Sequence, residues 1–153
     1  MPAKPVPDGY HTATPILIIK GAAAALEFYK KAFGAKEMLR MPAPDGTVAH
    51  AEIKVGDSIL MTGEEVPEMG FVGAKPGTPT PICMMPYVDK ADEVFKRALA
   101  AGARELRPLK NHFYGDRSGT LADPFGHAWT IATHIEEVPP AEMDRRLKAE
   151  MGG

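Results

Sequence analysis

The chain has 153 residues, of which 44% are apolar and 25% charged, and its formal net charge is -2. This length and balance are typical of a folded protein with a sizeable apolar core, and they exclude a disordered chain. They also argue against a nucleic-acid partner, because phosphate binding needs a concentrated basic face and the basic residues here are interleaved with acidic ones.

The single cysteine, Cys83, cannot form an intramolecular disulfide, and the start of the chain lacks the apolar stretch of a secretory signal. The longest apolar run, residues 15–19, is far too short to span a bilayer. We therefore expect a cytoplasmic protein with no membrane partner.

The first half of the chain predicts one strand, one helix and three further strands. Residues 12–20 have the branched, apolar character of a buried strand. An apolar stripe at three- and four-residue spacing then predicts a helix that ends at Gly34. Strand candidates follow at residues 35–41, 47–55 and 58–62, separated by turns that contain Asp and Gly.

The second half predicts the same series. Residues 81–88 are a strand candidate, and the helix after them is predicted to be capped by Asp89 and to end at Gly102. Three more strand candidates follow, at residues 104–107, 119–122 and 127–133.

One constant shift along the chain superimposes Ala22 on Ala91 and Leu26 on Phe95, so the two series are predicted to be copies of one module. Two amphipathic helices resemble each other even when they are unrelated. A repeated order of strand, helix and three strands arises by chance less readily. One such module alone leaves one face of its sheet uncovered, and pairing two modules, within a chain or across a dimer, would close that face into a cleft.

We therefore expect one α+β domain over residues 1–137. Module one lies at about residues 10–63 and module two at about residues 80–137, with a connector at residues 64–79 that is rich in Gly, Pro and Glu. Residues 138–153 are predicted to form a charged helical tail on the surface.

The chain resembles the vicinal oxygen chelate superfamily at the paired βαβββ pattern, at residues 26–34 (LEFYKKAFG) and at residues 123–127 (DPFGH). Three segments are most similar to its PhnB-like glyoxalase/bleomycin-resistance branch: residues 9–12 (GYHT), 50–53 (HAEI) and 113–120 (FYGDRSGT). The resemblance covers nearly all of residues 9–137. It implies two βαβββ modules around a half-barrel cleft, completed in a homodimer.

In metal-dependent members of that superfamily, His and Glu residues from the first and last strands of each module hold a divalent ion. The resemblance places these positions on Thr14, Leu60, Cys83 and Thr130. Neutral hydroxyls, a leucine and a thiol are poor ligands for a hard divalent ion. Because the chain departs from the ligand pattern of the superfamily at these positions, we expect a cleft with no metal and no other cofactor.

Strand alternation places His50 and Glu52 on one face of the strand at residues 47–55. A histidine beside a carboxylate could act as a general base or as half of a displaced metal site. The alternative is that His50 and Glu52 lie at a polar edge of the sheet in contact with solvent.

The segment at residues 112–119 is predicted to be a loop over the cleft, where Tyr114 and Arg117 would contact an anionic or carbonyl-bearing ligand. The alternative is an ion pair between Asp116 and Arg117 that only fixes the loop. Trp129 is predicted to lie in the core.

The resulting functional hypothesis is a protein that binds or sequesters a small organic ligand. Its cleft is predicted to be lined by Thr14, Leu60, Cys83, Met85 and Thr130. A second hypothesis is a metal-dependent enzyme, a glyoxalase-like lyase or isomerase or a dioxygenase, that uses His50 and Glu52. A third is a protein–protein module whose cleft is packed shut.

Overall fold

The fold consists of two copies of one βαβββ unit, as predicted. The computed structural model describes residues 1–152. Module one contains β1 (Ile16–Ile19), α1 (Ala22–Phe33), β2 (Lys36–Pro42), β3 (Val48–Val55) and β4 (Ser58–Glu64). Module two contains β5 (Cys83–Met84), α2 (Ala91–Ala101), β6 (Arg104–Asn111), β7 (Asp116–Ala122) and β8 (Ala128–His134), and it is followed by the tail helix α3 (Pro140–Glu150). No helix within residues 1–152 is long and apolar enough to cross a membrane.

Each module forms one four-stranded sheet with the same strand order, β1-β4-β3-β2 in module one and β5-β8-β7-β6 in module two. The first strand of each module runs parallel to its last strand, and the other pairings are antiparallel. The parallel pairings of Ile16 with Met61 and of Cys83 with Ala128 join residues at the same separation along the chain. The internal repeat therefore holds at the level of strand order and register.

The first strand of each module is shorter than predicted. β1 begins at Ile16, and β5 contains only Cys83 and Met84. Pro15 precedes β1 and Pro86 follows β5, and proline has no N–H to donate to a neighbouring strand.

The hairpin of β6 and β7 is longer than predicted. β6 continues to Asn111 and β7 already begins at Asp116, so the loop expected at residues 112–119 contains only residues 112–115. The connector contains a 3₁₀ turn at Pro67–Met69.

Each helix is capped by the last strand of its own module. The Glu64 carboxylate accepts hydrogen bonds from the backbone N–H groups of Gly21, at 2.8 Å, and Ala22, at 2.9 Å. The Thr133 hydroxyl accepts one from Ala91, at 2.9 Å. The prediction that Asp89 caps α2 is wrong, because Thr133 on β8 accepts the hydrogen bond from the first N–H group of this helix.

The two modules share one core. A continuous cluster of buried side chains extends from one face of the first sheet through α1 and α2 to one face of the second sheet. Trp129 is 1% exposed, as predicted for a core residue. Its ring centroid lies 4.5 Å from that of Phe33 and 5.2 Å from that of Tyr29, both on α1 of the other module.

A buried carboxylate, Asp123, joins the modules at the centre of this core. It is 3% exposed and accepts hydrogen bonds from the Tyr29 hydroxyl, at 2.7 Å, and from the Trp129 indole N–H, at 2.9 Å. The backbone N–H groups of Phe125 and His127 donate to its second oxygen. Burial, together with the Asp123 charge, raises the pKa of Tyr29 well above its usual value, so this hydroxyl stays a donor.

Because both helices lie on the shared-core side, the opposite face of each sheet is uncovered. We call these the open faces, and paired residues on neighbouring strands show which side chains they carry. The open face of module one carries Ile16, Leu39, Met41, His50, Glu52 and Met61. The open face of module two carries Cys83, Met85, Arg107, Lys110, Thr120 and Thr130.

Replacement of Asp123 by Ala is expected to lower the free energy of unfolding by about 2–5 kcal/mol, because two buried side-chain donors and two backbone N–H groups lose their acceptor. Urea unfolding followed by the fluorescence of Trp129 measures this change. The matched control is Asp144→Ala on the exposed side of α3, with an expected change within about 0.5 kcal/mol. Equal losses in the two variants would contradict a central role for Asp123.

Candidate functional site

The open face of module one carries a hydrogen-bonded set of Tyr10, Glu52 and His50. One carboxylate oxygen of Glu52 lies 3.2 Å from His50 Nε2, and the other accepts a hydrogen bond from the Tyr10 hydroxyl. The hydrogen bond from Tyr10, supported by His50, lowers the pKa of Glu52, and the same carboxylate raises the pKa of Tyr10. The structure thus brings His50 and Glu52 together, as strand alternation predicted.

Tyr10 belongs to the N-terminal segment, which sequence reasoning did not assign to the site. This segment and the sheet enclose a cavity of about 380 Å³ whose lining includes Tyr10, Thr14, Glu52 and Met61. The predicted position of Thr14 on the cleft side therefore agrees with the structure. Nothing in the sequence around Tyr10 indicates a partner 42 residues away.

The predicted position of Leu60 on the cleft side is wrong. Leu60 pairs with the core residue Ile53 and is 4% exposed, on the face covered by the helices. Met61, which pairs with Glu52, takes the open-face position instead. A shift of one residue along a strand reverses the face, and the flanking Ile59 and Met61 are as apolar as Leu60, so the sequence offered no contrast that would reveal the shift.

On its covered side, Leu60 borders a groove of about 620 Å³ between the two modules. Phe33, Met84 and Trp129 share this lining. Met85 and Tyr87 also border this groove, so it adjoins the open face of module two at β5.

The open face of module two contains a chain of hydroxyl and thiol groups. The Thr130 hydroxyl lies 3.1 Å from Cys83 Sγ and 2.8 Å from the Thr120 hydroxyl. Thr120 and Thr130, together with Met85 and Tyr114, line a cavity of about 690 Å³. Four of the residues predicted for the site, Cys83, Met85, Tyr114 and Thr130, therefore lie on or beside this face.

Arg117 does not point into this cavity. Its guanidinium donates to both carboxylate oxygens of Asp92 on α2, at 2.6 and 2.8 Å, and to Asn111. Because β7 begins at Asp116, strand alternation turns Arg117 to the helix side and Asp116 to the open side. The prediction of Arg117 as a ligand contact and the alternative pair with Asp116 are both wrong.

Asp116 instead forms a set with Tyr87 and His134 at one end of this open face. It is 3% exposed, accepts a hydrogen bond from the Tyr87 hydroxyl at 2.7 Å and lies 2.8 Å from His134 Nδ1. The Asp116 carboxylate raises the pKa of Tyr87 and that of His134. Sequence reasoning missed this set because it took Asp116 for a loop residue.

With the register of the structure, the four positions that the resemblance assigns to a divalent ion fall on Thr14, Met61, Cys83 and Thr130. Hydroxyl, thioether and thiol groups do not fit a hard divalent cation. Within residues 1–152, moreover, no three His, Cys, Asp or Glu side chains converge in the manner of a metal site.

Replacement of Glu52 by Gln is expected to return the pKa of Tyr10 towards its ordinary value, because the charge that opposes phenolate formation is removed. Titration of carbon-13-labelled tyrosine rings by NMR measures this change. Asp116→Asn is the matched control, which is expected to lower the pKa of Tyr87 and to leave the pKa of Tyr10 unchanged. A Tyr10 titration that is the same in wild type and Glu52→Gln would contradict the described contact.

Comparison with known proteins supports the same fold and family. A sequence profile of the Glyoxalase/Bleomycin resistance protein/Dioxygenase superfamily matches residues 10–131. The uncharacterized protein Rv0887c of Mycobacterium tuberculosis is 37% identical over 145 residues, which are 92% of this chain and 84% of that protein.

Two solved structures illustrate the structural likeness. TioX from Micromonospora sp. ML1 superimposes with a TM-score of 0.64 and 26% identity, over 84% of this chain and 100% of TioX. A PhnB protein from Bacillus cereus superimposes with a TM-score of 0.59 and 21% identity, over 80% of this chain and 99% of that chain, and this shows a shared fold. The chain therefore belongs to the Glyoxalase/Bleomycin resistance protein/Dioxygenase superfamily.

Proposed function

We propose that this protein binds or sequesters a small organic molecule, as a homodimer in which the open face of module one covers the open face of module two of a second copy. The observation that carries the proposal is the exposure of apolar side chains on both open faces. Ile16 is 62% exposed, Met41 52% and Met85 40%. Apolar groups that cluster on one surface are typical of a binding or assembly surface.

Each of the two cavities is lined by one module only, which supports a role for the second copy. The cavity beside Glu52 is lined only by residues of the N-terminal segment and module one, and the cavity beside Thr130 only by residues of module two. α1 and α2 lie on the other side of the sheets, so a single chain leaves both cavities open. A second copy would close each of them.

The chemistry of the lining supports binding rather than catalysis. Met61 and Met85 offer flexible, polarizable surface, and Thr120 and Thr130 offer neutral hydroxyls. Bleomycin resistance proteins belong to the same superfamily. Sequestration of a ligand in a cleft of this composition needs no reacting group. A cytoplasmic location remains part of the proposal.

A second candidate function, a metal-dependent lyase, isomerase or dioxygenase, rests on the 3.2 Å contact between His50 and Glu52. These two side chains are fewer than the three protein ligands of common catalytic zinc sites. Metal analysis of protein purified without chelators separates the two functions. A stoichiometric ion that is lost in His50→Ala would favour the enzyme and overturn the metal-free cleft.

Sedimentation equilibrium is expected to give the mass of a dimer for the wild type and of a single chain for Met41→Lys, because the new positive charge would lie at a contact whose facing surface already carries Arg107 and Lys110. The matched control is Leu99→Lys on the exposed side of α2, which should remain a dimer. A single-chain mass for the wild type would contradict the proposed assembly.

Protein taken directly from cells is expected to carry a retained small organic molecule, visible as a mass difference in native mass spectrometry. Thr130→Trp fills the cavity of module two and should abolish the difference, whereas Lys96→Trp on the outer side of α2 should keep it. A retained mass that is the same in both variants would contradict binding at this face.

A further inference from the structure

Two cations on the edge strand of module two are brought to the same face by an irregularity in the strand. Residues three positions apart on a regular strand point to opposite faces. The register shifts between Arg107, which pairs with Thr120, and Lys110, which pairs with Ser118. Because Thr120 and Ser118 both lie on the open side of β7, both cations lie beside that face, and β-bulges commonly redirect side chains in this way next to functional sites.

The surroundings of Arg107 and Lys110 suit an anion. Among residues 1–152, neither cation has a carboxylate within ion-pair distance, unlike Arg40, Arg117, Arg145 and Arg146. Both line the cavity of about 690 Å³, a volume within the range of small-molecule sites. The Thr120 and Thr130 hydroxyls line the same cavity.

An aromatic surface borders the cations. The rings of His112 and Tyr114 are stacked, with centroids 5.0 Å apart and an interplanar angle of 16°. Both rings line the cavity, and Met85 lies on its lining as well. The cavity therefore combines a cationic edge with an apolar and aromatic side.

The corresponding edge of module one has no such charges. There, Leu39 pairs with Glu52 and Met41 pairs with His50, so apolar side chains occupy the places of the two cations. Two copies of one module have thus diverged at the same place in the fold, and the cationic edge is a property of module two alone.

We propose that Arg107 and Lys110 form an anion subsite for a small organic ligand that carries a carboxylate or a phosphate on an aromatic or apolar body. This inference rests on the proposed small-molecule function of the same cleft. The guanidinium of Arg107 suits two oxygens of one anionic group, and Lys110 adds a second positive charge. The body of the ligand lies against Tyr114 and Met85.

The test uses three naphthalene probes, 1-naphthoate, 1-naphthyl phosphate and the neutral 1-naphthalenemethanol, titrated calorimetrically into the intact wild-type protein. The anions are expected to bind at least about tenfold more tightly than the alcohol, and the double variant Arg107→Met and Lys110→Met is expected to remove that advantage. The control is Lys31→Met with Lys96→Met, which also removes two positive charges, but from α1 and α2. Whichever of naphthoate and naphthyl phosphate binds more tightly identifies the anionic group.

The outcomes separate this inference from the proposed function. Equal binding of the anions and the alcohol, or anion binding that survives in Arg107→Met and Lys110→Met, would overturn the anion subsite and leave the small-molecule cleft standing. No binding of any probe would overturn both. Loss of the dimer in that double variant, measured by sedimentation, would assign the two cations to the subunit contact and overturn the subsite.

Discussion

The hydrogen bonds that join Tyr29, Asp123 and Trp129 determine how the rest of the molecule is arranged. Asp123 lies in the turn before β8 of module two, and Tyr29 lies on α1 of module one. A buried carboxylate is costly unless donors surround it, and here two side-chain donors and two backbone N–H groups do so. The contact therefore holds the modules together through their helices, and the opposite sheet faces remain open.

That arrangement makes the two open faces the surfaces on which the proposed function depends. The two faces have the same strand scaffold, and the caps that Glu64 and Thr133 provide show how closely the modules still correspond. Their side chains nevertheless differ. Both faces have an acid with a histidine and a phenol, but only the face of module two adds the cations Arg107 and Lys110 and the hydroxyls of Thr120 and Thr130. The proposed cleft, built from one face of each kind, would therefore be more cationic on one side, which would favour a ligand with distinct ends over a symmetrical one.

Much of the fold could be predicted from the sequence because the modules repeat. The apolar stripes of α1 and α2 and the glycines that end them predict both helices, and the repeated order predicts two equivalent sheets. The site was less predictable. His50 and Glu52 follow from simple alternation within one strand, whereas Leu60 required a register that its apolar neighbours do not reveal. The face on which Arg107 and Lys110 lie is set by an irregularity in β6, and no local residue pattern predicts that irregularity.

The central claim is that the open faces of modules one and two from different chains meet. Cys83 is the only cysteine of the chain and lies on the open face of module two, whereas Thr14 lies beside the open face of module one. Mixing wild-type chains with Thr14→Cys, Cys83→Ser chains and adding a short bis-maleimide tests the claim directly. The account predicts a cross-linked pair that contains one chain of each kind, formed rapidly and lost when Met41→Lys is introduced into both. Cross-linking confined to pairs of identical chains, or none at all, would contradict it.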